Sequence, residues 1–540
     1  MPKHCQLIFL LFNSLLLIND IGYSQDLSSI SNTKPFTVNG NIGAQLTSYS
    51  ANGIENRQEP FTWLINGNIN TSFYGIEIPI SFLLSEQQRS YTQPFNQFGL
   101  SPHYKWATLH LGYRSMLFSK YTLSGNTFLG AGVELKPKKF RVAAMVGRLQ
   151  RAVEEDTSKY YITPSYKRTA KAVKLGYGTD ANFIDLIYLK AQDDTASLNK
   201  RPERILINAS DNTVLGFVTK KTFAKKFTIE ADYALSKFTK DLFLDSNQVN
   251  RYALKTSAAY QLQNANLKVQ FRRIEPDYKS LGAAYITADV QEITFMPSFV
   301  LLQKKLHINT SIGRQQDNLN NQKFVTTNRF IGSLNANYIP NAKYGLDINY
   351  MNYSTGQENG RFDVNDTIKL SQTLNNFTIT NRYTLLRTSS VQNFIFIVSL
   401  QKLNDQNRFT ENFSENNTNV FNLTYVFTPI KIPFSFTASL MHTVVKISSA
   451  EILNNGISLG ASRTFKDGKI NINSSFSYLL NKLNGEHNGT ISNFILGGSY
   501  RPHKQHTITA NINYFSNETK IDTALSFSEL RLMLGYNYSF

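Results

Sequence analysis

The chain ends in Glu529-Leu530-Arg531-Leu532-Met533-Leu534-Gly535-Tyr536-Asn537-Tyr538-Ser539-Phe540. Read backwards from the terminus, Phe540, Tyr538, Tyr536, Leu534, Leu532 and Leu530 share one face, and Ser539, Asn537, Gly535, Met533, Arg531 and Glu529 share the other. A period of two with one wholly apolar and one mostly polar face is a β-strand between two different media. The same alternation recurs upstream, as Ile508, Ala510, Ile512 and Tyr514 against Thr507, Thr509, Asn511 and Asn513, and as Ile470, Ile472, Phe476 and Tyr478 against Asn471, Asn473, Ser475 and Ser477. The polar faces are Asn, Ser, Thr and Gly and expect water. A soluble sandwich could produce one such strand, but the pattern recurs almost everywhere, and a soluble repeat such as a propeller would not need tyrosines and leucines on every outward face.

The strands repeat. Leu459-Gly460, Leu496-Gly497 and Leu534-Gly535 are spaced 37 and 38 residues apart, with Leu175-Gly176 and Leu129-Gly130 as earlier copies. One period holds two strands, a tight turn and a longer connection. The tight turns are short and basic, as in Lys136-Pro137-Lys138-Lys139, Lys304-Lys305, Lys466-Asp467-Gly468-Lys469 and Arg501-Pro502-His503-Lys504, with Pro340-Asn341 as a further one. Asp-Gly is what a two-residue hairpin demands. The opposite connections read as longer and rich in Asn, Asp, Ser and Gly, at 315–326, 354–371, 404–418 and 482–489. Short turns at one rim and long loops at the other mark a transmembrane barrel.

Over nearly all of its length the chain resembles the outer-membrane β-barrels of Gram-negative bacteria. The most specific element is the terminal strand, whose Tyr536, Tyr538 and Phe540 look like the C-terminal signal that such barrels present to their assembly machinery. The resemblance implies a single closed antiparallel all-β transmembrane barrel with a periplasmic C-terminus, short periplasmic turns and long extracellular loops. Its implied partners are outer-membrane lipid and the barrel assembly machinery.

The remaining sequence fits that expectation. Residues 1–24 read as a signal peptide, with Lys3, an apolar core from Leu7 to Ile18 and the small-x-small site Gly22-Tyr23-Ser24, cleaved after Ser24. The only cysteine, Cys5, would leave with it, so the exported chain needs no disulfide. Residues 25–35 read as a short periplasmic segment, too short for a plug domain, and residues 36–540 as the barrel. No later stretch approaches the ~20 apolar residues of a membrane helix. The formal charge of +18 at first suggests nucleic acid. Its cations instead divide among turns, loop bases and inward strand positions, so no nucleic-acid partner is expected.

Turns and loops give about 26 strands, within a range of 22 to 28, the segments 92–100 and 278–290 being ambiguous. Strands about 4.8 Å apart and tilted near 40° give such a barrel a diameter on the order of 50 Å. An open hole of that width would leak proteins, so infolded loops, a flattened barrel or a lumen-filling partner are expected. The candidate lumen charges are Glu230 and Asp232 on one strand, Arg251, Lys255, Lys268 and Arg272 on the next two, and Arg141. They fit a charged constriction favouring anions; they equally fit cross-strand pairs that satisfy a wet wall. Gly456-Ile457-Ser458-Leu459-Gly460 matches G-x-S-x-G but inside a strand, where the motif does not work. No metal spacing, cofactor or catalytic group is expected. Asp194-Thr195-Ala196, Asp366-Thr367-Ile368 and Asp522-Thr523-Ala524 look like an O-glycosylation sequon, though composition explains them as well. The expected function is to pass or export a substrate across the outer membrane. The alternative is a surface protein whose loops bind or anchor another macromolecule.

Overall fold

The computed structural model describes residues 35–86, 96–155, 163–203, 205–244, 248–520 and 525–540. The expected signal peptide, nearly all of the segment before the first strand and the motif at 522–524 lie outside the described residues. Twenty-seven strand segments run from β1 (Phe36–Asn52) to β27 (Phe527–Ser539) in one sheet, each named strand pairing antiparallel with its neighbours. The short segments β4 (Gln97–Leu100) and β5 (His103–Tyr104) both lie between β3 (Ile76–Ser85) and β6 (Ala107–Ser115). They fill one strand position, so the ring has 26 strands.

The sheet closes on itself. β1 pairs with β27 from Asn41↔Ser539 to Asn52↔Ser528. Gly40 N donates to Phe540 O at 2.9 Å, and Phe540 N donates back to Gly40 O at 3.0 Å. Closure leaves no unpaired sheet edge, as lipid requires. Leu532, Leu534 and Tyr536 stand exposed on the outer face, as do Leu459, Phe476, Tyr478 and Tyr514. A closed antiparallel ring with an apolar exterior is the single all-β barrel expected from sequence.

Both rims follow turn chemistry. Between β23 (Ala450–Phe465) and β24 (Ile470–Leu483), Asp467 (φ +52°) and Gly468 (φ +89°) are left-handed, and Lys469 N donates to Lys466 O at 3.1 Å. These are the backbone signs of a mirror-image hairpin turn. Three expectations need correction. The turn expected at Arg501-Pro502-His503-Lys504 lies at residues 504–505, because the strand Glu486–His503 runs on before the strand His506–Thr519 begins. The stretch 482–489 is no long loop: Asn484-Gly485 alone joins β24 to β25 (Glu486–His503), and Leu483 pairs with Glu486. The turn expected at Pro340-Asn341 lies just beyond, at residues 342–343, because β17 (Val325–Asn341) runs further before β18 (Tyr344–Asn359) begins.

The Leu-Gly repeat marks strand interiors. In β25 and β27 its leucine faces out and its glycine faces in. A Cβ on Gly497 would stand 2.8 Å from the amide oxygens of both Asn473 and Asn511. The glycine makes room for the polar side chains of the strands on either side.

Candidate functional site: the lumen wall and its infolded connections

Two connections of the loop rim turn back into the barrel. Residues 116–126 join β6 to β7 (Thr127–Leu135), and residues 275–289 join β14 (Ala265–Ile274) to β15 (Val290–Leu301). They meet each other: Ser124 N donates to Gly282 O at 3.0 Å, and Ala284 N to Ser124 O at 2.9 Å. Tyr278 Oη donates to Tyr121 O at 2.7 Å and Ser280 Oγ to Thr122 O at 2.6 Å.

The wall beneath them is apolar. Inward residues there are Ala143 and Met145 on β8 (Phe140–Gln150), Ala170 and Ala172 on β9 (Lys167–Thr179), Ile187 and Leu189 on β10 (Asn182–Asp194), and Val214 on β11 (Asp211–Phe223). Ala234 on β12 (Phe227–Thr239) and Ala253 on β13 (Gln248–Gln261) continue the patch. Met116, Phe118, Leu123, Tyr278 and Leu281 pack onto it and are buried. The expectation that inward faces meet water therefore fails on this arc; it suits the Asn- and Ser-rich strands near the C-terminus.

Polar staples fix the docking. Asn212 is fully buried; its Nδ2 donates to Ser236 Oγ at 2.8 Å and its Oδ1 accepts from Leu281 N at 2.9 Å. Ser236 Oγ donates to Lys279 O at 2.6 Å. Each of these wall groups would be costly if left unpaired in an apolar setting, so the wall is built for the connection that covers it.

Charges line the wall from Arg141 near the short-turn rim up to Arg272 near the loop-rim end of β14. Arg141 Nη1 reaches Asp180 at 2.7 Å and its Nε reaches Asp185 at 2.9 Å, with the guanidinium 4.2 Å from the Phe183 ring centroid. Asp180, in the exposed β9–β10 turn, is held below the usual carboxylate range by its hydrogen bond to Arg141. Glu230 pairs with Lys220 at 2.9 Å, and Arg272 with Glu292 at 2.5 Å. Asp232 lies opposite Lys255 in register, and its Oδ2 accepts Lys120 N at 3.3 Å. One recess is lined by Glu230, Asp232, Lys255, Lys220, Lys120 and Asp180. Lys268 lies on the next strand, opposite Ala259.

Of the expected lumen charges, then, Glu230, Asp232 and Lys255 share the recess, and Arg141 joins it through Asp180. Arg251 differs in use: its Nε donates to Pro276 O at 2.9 Å, so it anchors the infolded connection. Lys120, Lys220 and Glu292 were missing from the expected set. Lys220 is readable from the turn, because Phe223 pairs with Phe227 and so sets Lys220 opposite Glu230. Lys120 sits on an aperiodic connection and leaves no such signal.

At the terminus, His506 Nδ1 and Tyr536 Oη are 2.7 Å apart, and the Tyr538 ring lies 5.0 Å from that of His506 and 5.5 Å from that of Phe540. Aromatic girdles of this kind mark a membrane interface. Ser458 of the G-x-S-x-G stretch pairs with Ser439 and Ser477 in mid-strand. No cluster of metal-binding side chains occurs among the described residues.

No family model matches the chain, and no curated protein matches it. Solved structures do. OccK10 (OpdN) of Pseudomonas aeruginosa is 13% identical over 59% of this chain and 94% of its own, with a TM-score of 0.35. The translocation pore of the P pilus usher PapC is 11% identical over 93% and 99%, with a TM-score of 0.36. The FrpB iron transporter of Neisseria meningitidis is 11% identical over 93% and 81%, with a TM-score of 0.40. At these identities and scores the likeness assigns no substrate.

Proposed function

We propose that the chain is a channel of the outer membrane that passes small solutes, with an anion preference set at the charged recess. The observation that carries this reading is the pairing of a built-in constriction with surplus positive charge. Two connections dock on a wall shaped for them, and beside them Lys120, Lys255 and Lys268 have no carboxylate within 4.0 Å among the described residues. A wall that merely satisfied itself would pair these lysines, as it pairs Lys220 and Arg272. The candidate lumen residues then divide in role: Lys255 and Lys268 attract anions, Glu230, Asp232, Arg272 and Arg141 hold the field in place, and Arg251 holds the connection.

Reconstitution in planar bilayers tests this. The intact chain is expected to give small, anion-selective conductance, and a form lacking residues 117–125 a larger one. Absence of conductance in both forms overturns the reading.

One observation favours a second role, as a surface protein that binds or anchors a macromolecule. Residues 360–370 and 406–415 are tied together by Asn407 Nδ2, which donates to Asp366 O and Lys369 O at 2.7 Å each. They present Ile368 and Phe413 at 72% and 85% exposure. A stoichiometric polypeptide co-purifying from native membranes, and lost when Phe413 is replaced by Ser, would support that role.

The assembly role of Tyr536, Tyr538 and Phe540 and the removal of residues 1–24 belong to the same proposal. Both predict that the mature chain begins at Gln25 and needs the barrel assembly machinery for insertion.

A further inference from the structure

On the arc away from the infolded connections, the inner wall forms a second recess near the loop rim. It is lined by Tyr49 of β1, Asn493 of β25, Asn513 and Phe515 of β26 (His506–Thr519), and Glu529 and Arg531 of β27. These residues alternate with the outward Phe494, Tyr514, Leu530 and Leu532, so they face the lumen. Register brings them together across four adjacent strands: Asn493 lies opposite Phe515, Asn513 opposite Arg531, and Arg531 opposite Tyr49.

The hydrogen-bonding capacity of this recess is unevenly used. Glu529 is occupied, accepting Tyr49 Oη at 2.7 Å and facing Arg57 at 3.5 Å. Arg531 has no carboxylate partner among the described residues, although a guanidinium offers five donors in a fork that fits a carboxylate. The Asn493 carbonyl oxygen is buried and accepts nothing. An unpaired buried acceptor is costly and calls for a donor from outside the chain. Asn513 offers both donor and acceptor, and the Phe515 ring supplies an apolar face beside them.

We infer that this recess binds a hydroxylated carboxylate of the sugar-acid class. The carboxylate pairs with Arg531, a hydroxyl donates to the Asn493 oxygen, a second hydroxyl meets Asn513, and the C–H face of the ring rests on Phe515. Glu529, held by Tyr49 and Arg57, repels a ligand whose carboxylate lies the wrong way round. The site goes beyond an anion preference because it reads hydroxyl and carboxylate together. As an entry site for transport it rests on the channel reading above; as a binding site it does not.

The test is calorimetric titration of the full-length protein in detergent with D-glucuronate, D-glucose, D-glucuronamide and acetate, alongside bilayer recording with the same solutes. Glucuronate is expected to bind and to block current transiently, and the other three to bind at least about tenfold more weakly. Arg531→Ala is expected to weaken glucuronate by about ten- to hundredfold. Arg531→Lys should recover part of that loss, since it keeps the charge without the fork. Asn493→Leu keeps the size, removes the acceptor, and should cost about tenfold for glucuronate while leaving acetate unchanged. Folding of each variant is checked by heat-modifiable electrophoretic mobility. Equal binding of glucose and glucuronate, or full binding by Arg531→Ala, overturns the inference. A conducting channel that ignores glucuronate overturns the site and leaves the channel; glucuronate binding without conductance overturns the channel and leaves the site.

Discussion

Gly282 shows how closely a single position controls the lumen. A Cβ there would stand 2.6 Å from Thr122 O, which already accepts Ser280 Oγ, and would collide with the Leu189 side chain. Overpacking of this kind costs about 1–3 kcal/mol, and the softer partner moves. Leu189 is held in a ladder paired on both sides, whereas residues 275–289 are held by a handful of staples. Gly282→Ala is therefore expected to undock the connection and raise single-channel conductance, while the barrel's unfolding temperature changes little. Unchanged conductance, together with unchanged protease resistance of residues 275–289, would mean that the contact is absorbed locally. Glu230, Asp232, Arg251, Lys255, Lys268, Arg272 and Arg141 were recognisable as inward because strand parity leaves no choice. Which cation meets which anion was recognisable only where a tight turn fixes register, as Phe223 and Phe227 do for Lys220 and Glu230. Arg251 looked like a channel charge because its true partner, Pro276 O, lies on a connection without period.

At the scale of elements, the infolded connection is latched to its neighbour on the loop rim. Asp289, at the end of residues 275–289, accepts Leu319 N at 2.8 Å and Asn318 N at 3.0 Å, and Lys323 Nζ lies 2.5 Å from it. Burial alone would raise this carboxyl; the Lys323 ammonium and the two backbone donors outweigh burial and hold it below the ordinary range. Lys323 also reaches Asp317 at 3.2 Å, and its own proton is held more tightly in turn, the loss from burial being exceeded by its two carboxylate partners. A depressed carboxyl contributes stability that is complete above the unfolded value, about 3.9, and is lost as pH falls through the lower folded value. The protection factors of amides 317–323 against hydrogen exchange, which divide out the intrinsic pH dependence of exchange, are thus expected to stay constant from pH 7 to 5 and to fall only below about pH 4. Asp289→Asn should show the lowered protection already at pH 7. Loosening near pH 6 in the parent chain would contradict this account. The sequence carries a signal for the infolded elements that is separate from its period of two. Inward positions from β8 to β13 carry Ala, Met, Ile, Leu and Val, which a water-filled lumen has no reason to select, so an apolar inward face marks a wall with something resting on it. The Asn484-Gly485 hairpin is likewise present as a dipeptide, hidden because the strands on both sides continue up to it in mostly polar residues.

The whole molecule was the most legible scale. Each transmembrane strand repeats the same two-faced pattern, and closure of the ring links the two ends of the sequence, so the 26-strand count and the seam of β1 on β27 follow from patterns present throughout. What fills the ring was not legible, because connections obey packing rather than period. The field inside it can still be argued from position. Lys255 and Lys268 stand on neighbouring strands, one facing the recess with Glu230 and Asp232 and the other nearer the short-turn rim. Their charge acts across water, so its reach is the Debye length: about 10 Å at 0.1 M salt and about 3 Å at 1 M. Anion preference, read as the reversal potential across a potassium chloride gradient, is expected to be clear near 0.1 M and to fade towards 1 M. Lys255→Glu with Lys268→Glu moves the wall by four charges in the region where the lumen is narrowed, which exceeds the surplus supplied by Lys120 and those two lysines together. The double variant should therefore favour cations at low salt with its conductance retained. Gly282→Ala, which changes width and no charge, should keep the sign of the parent's preference. A parent channel that favours cations, or a double variant whose reversal potential stays where it was, would place the selecting charges somewhere other than this recess.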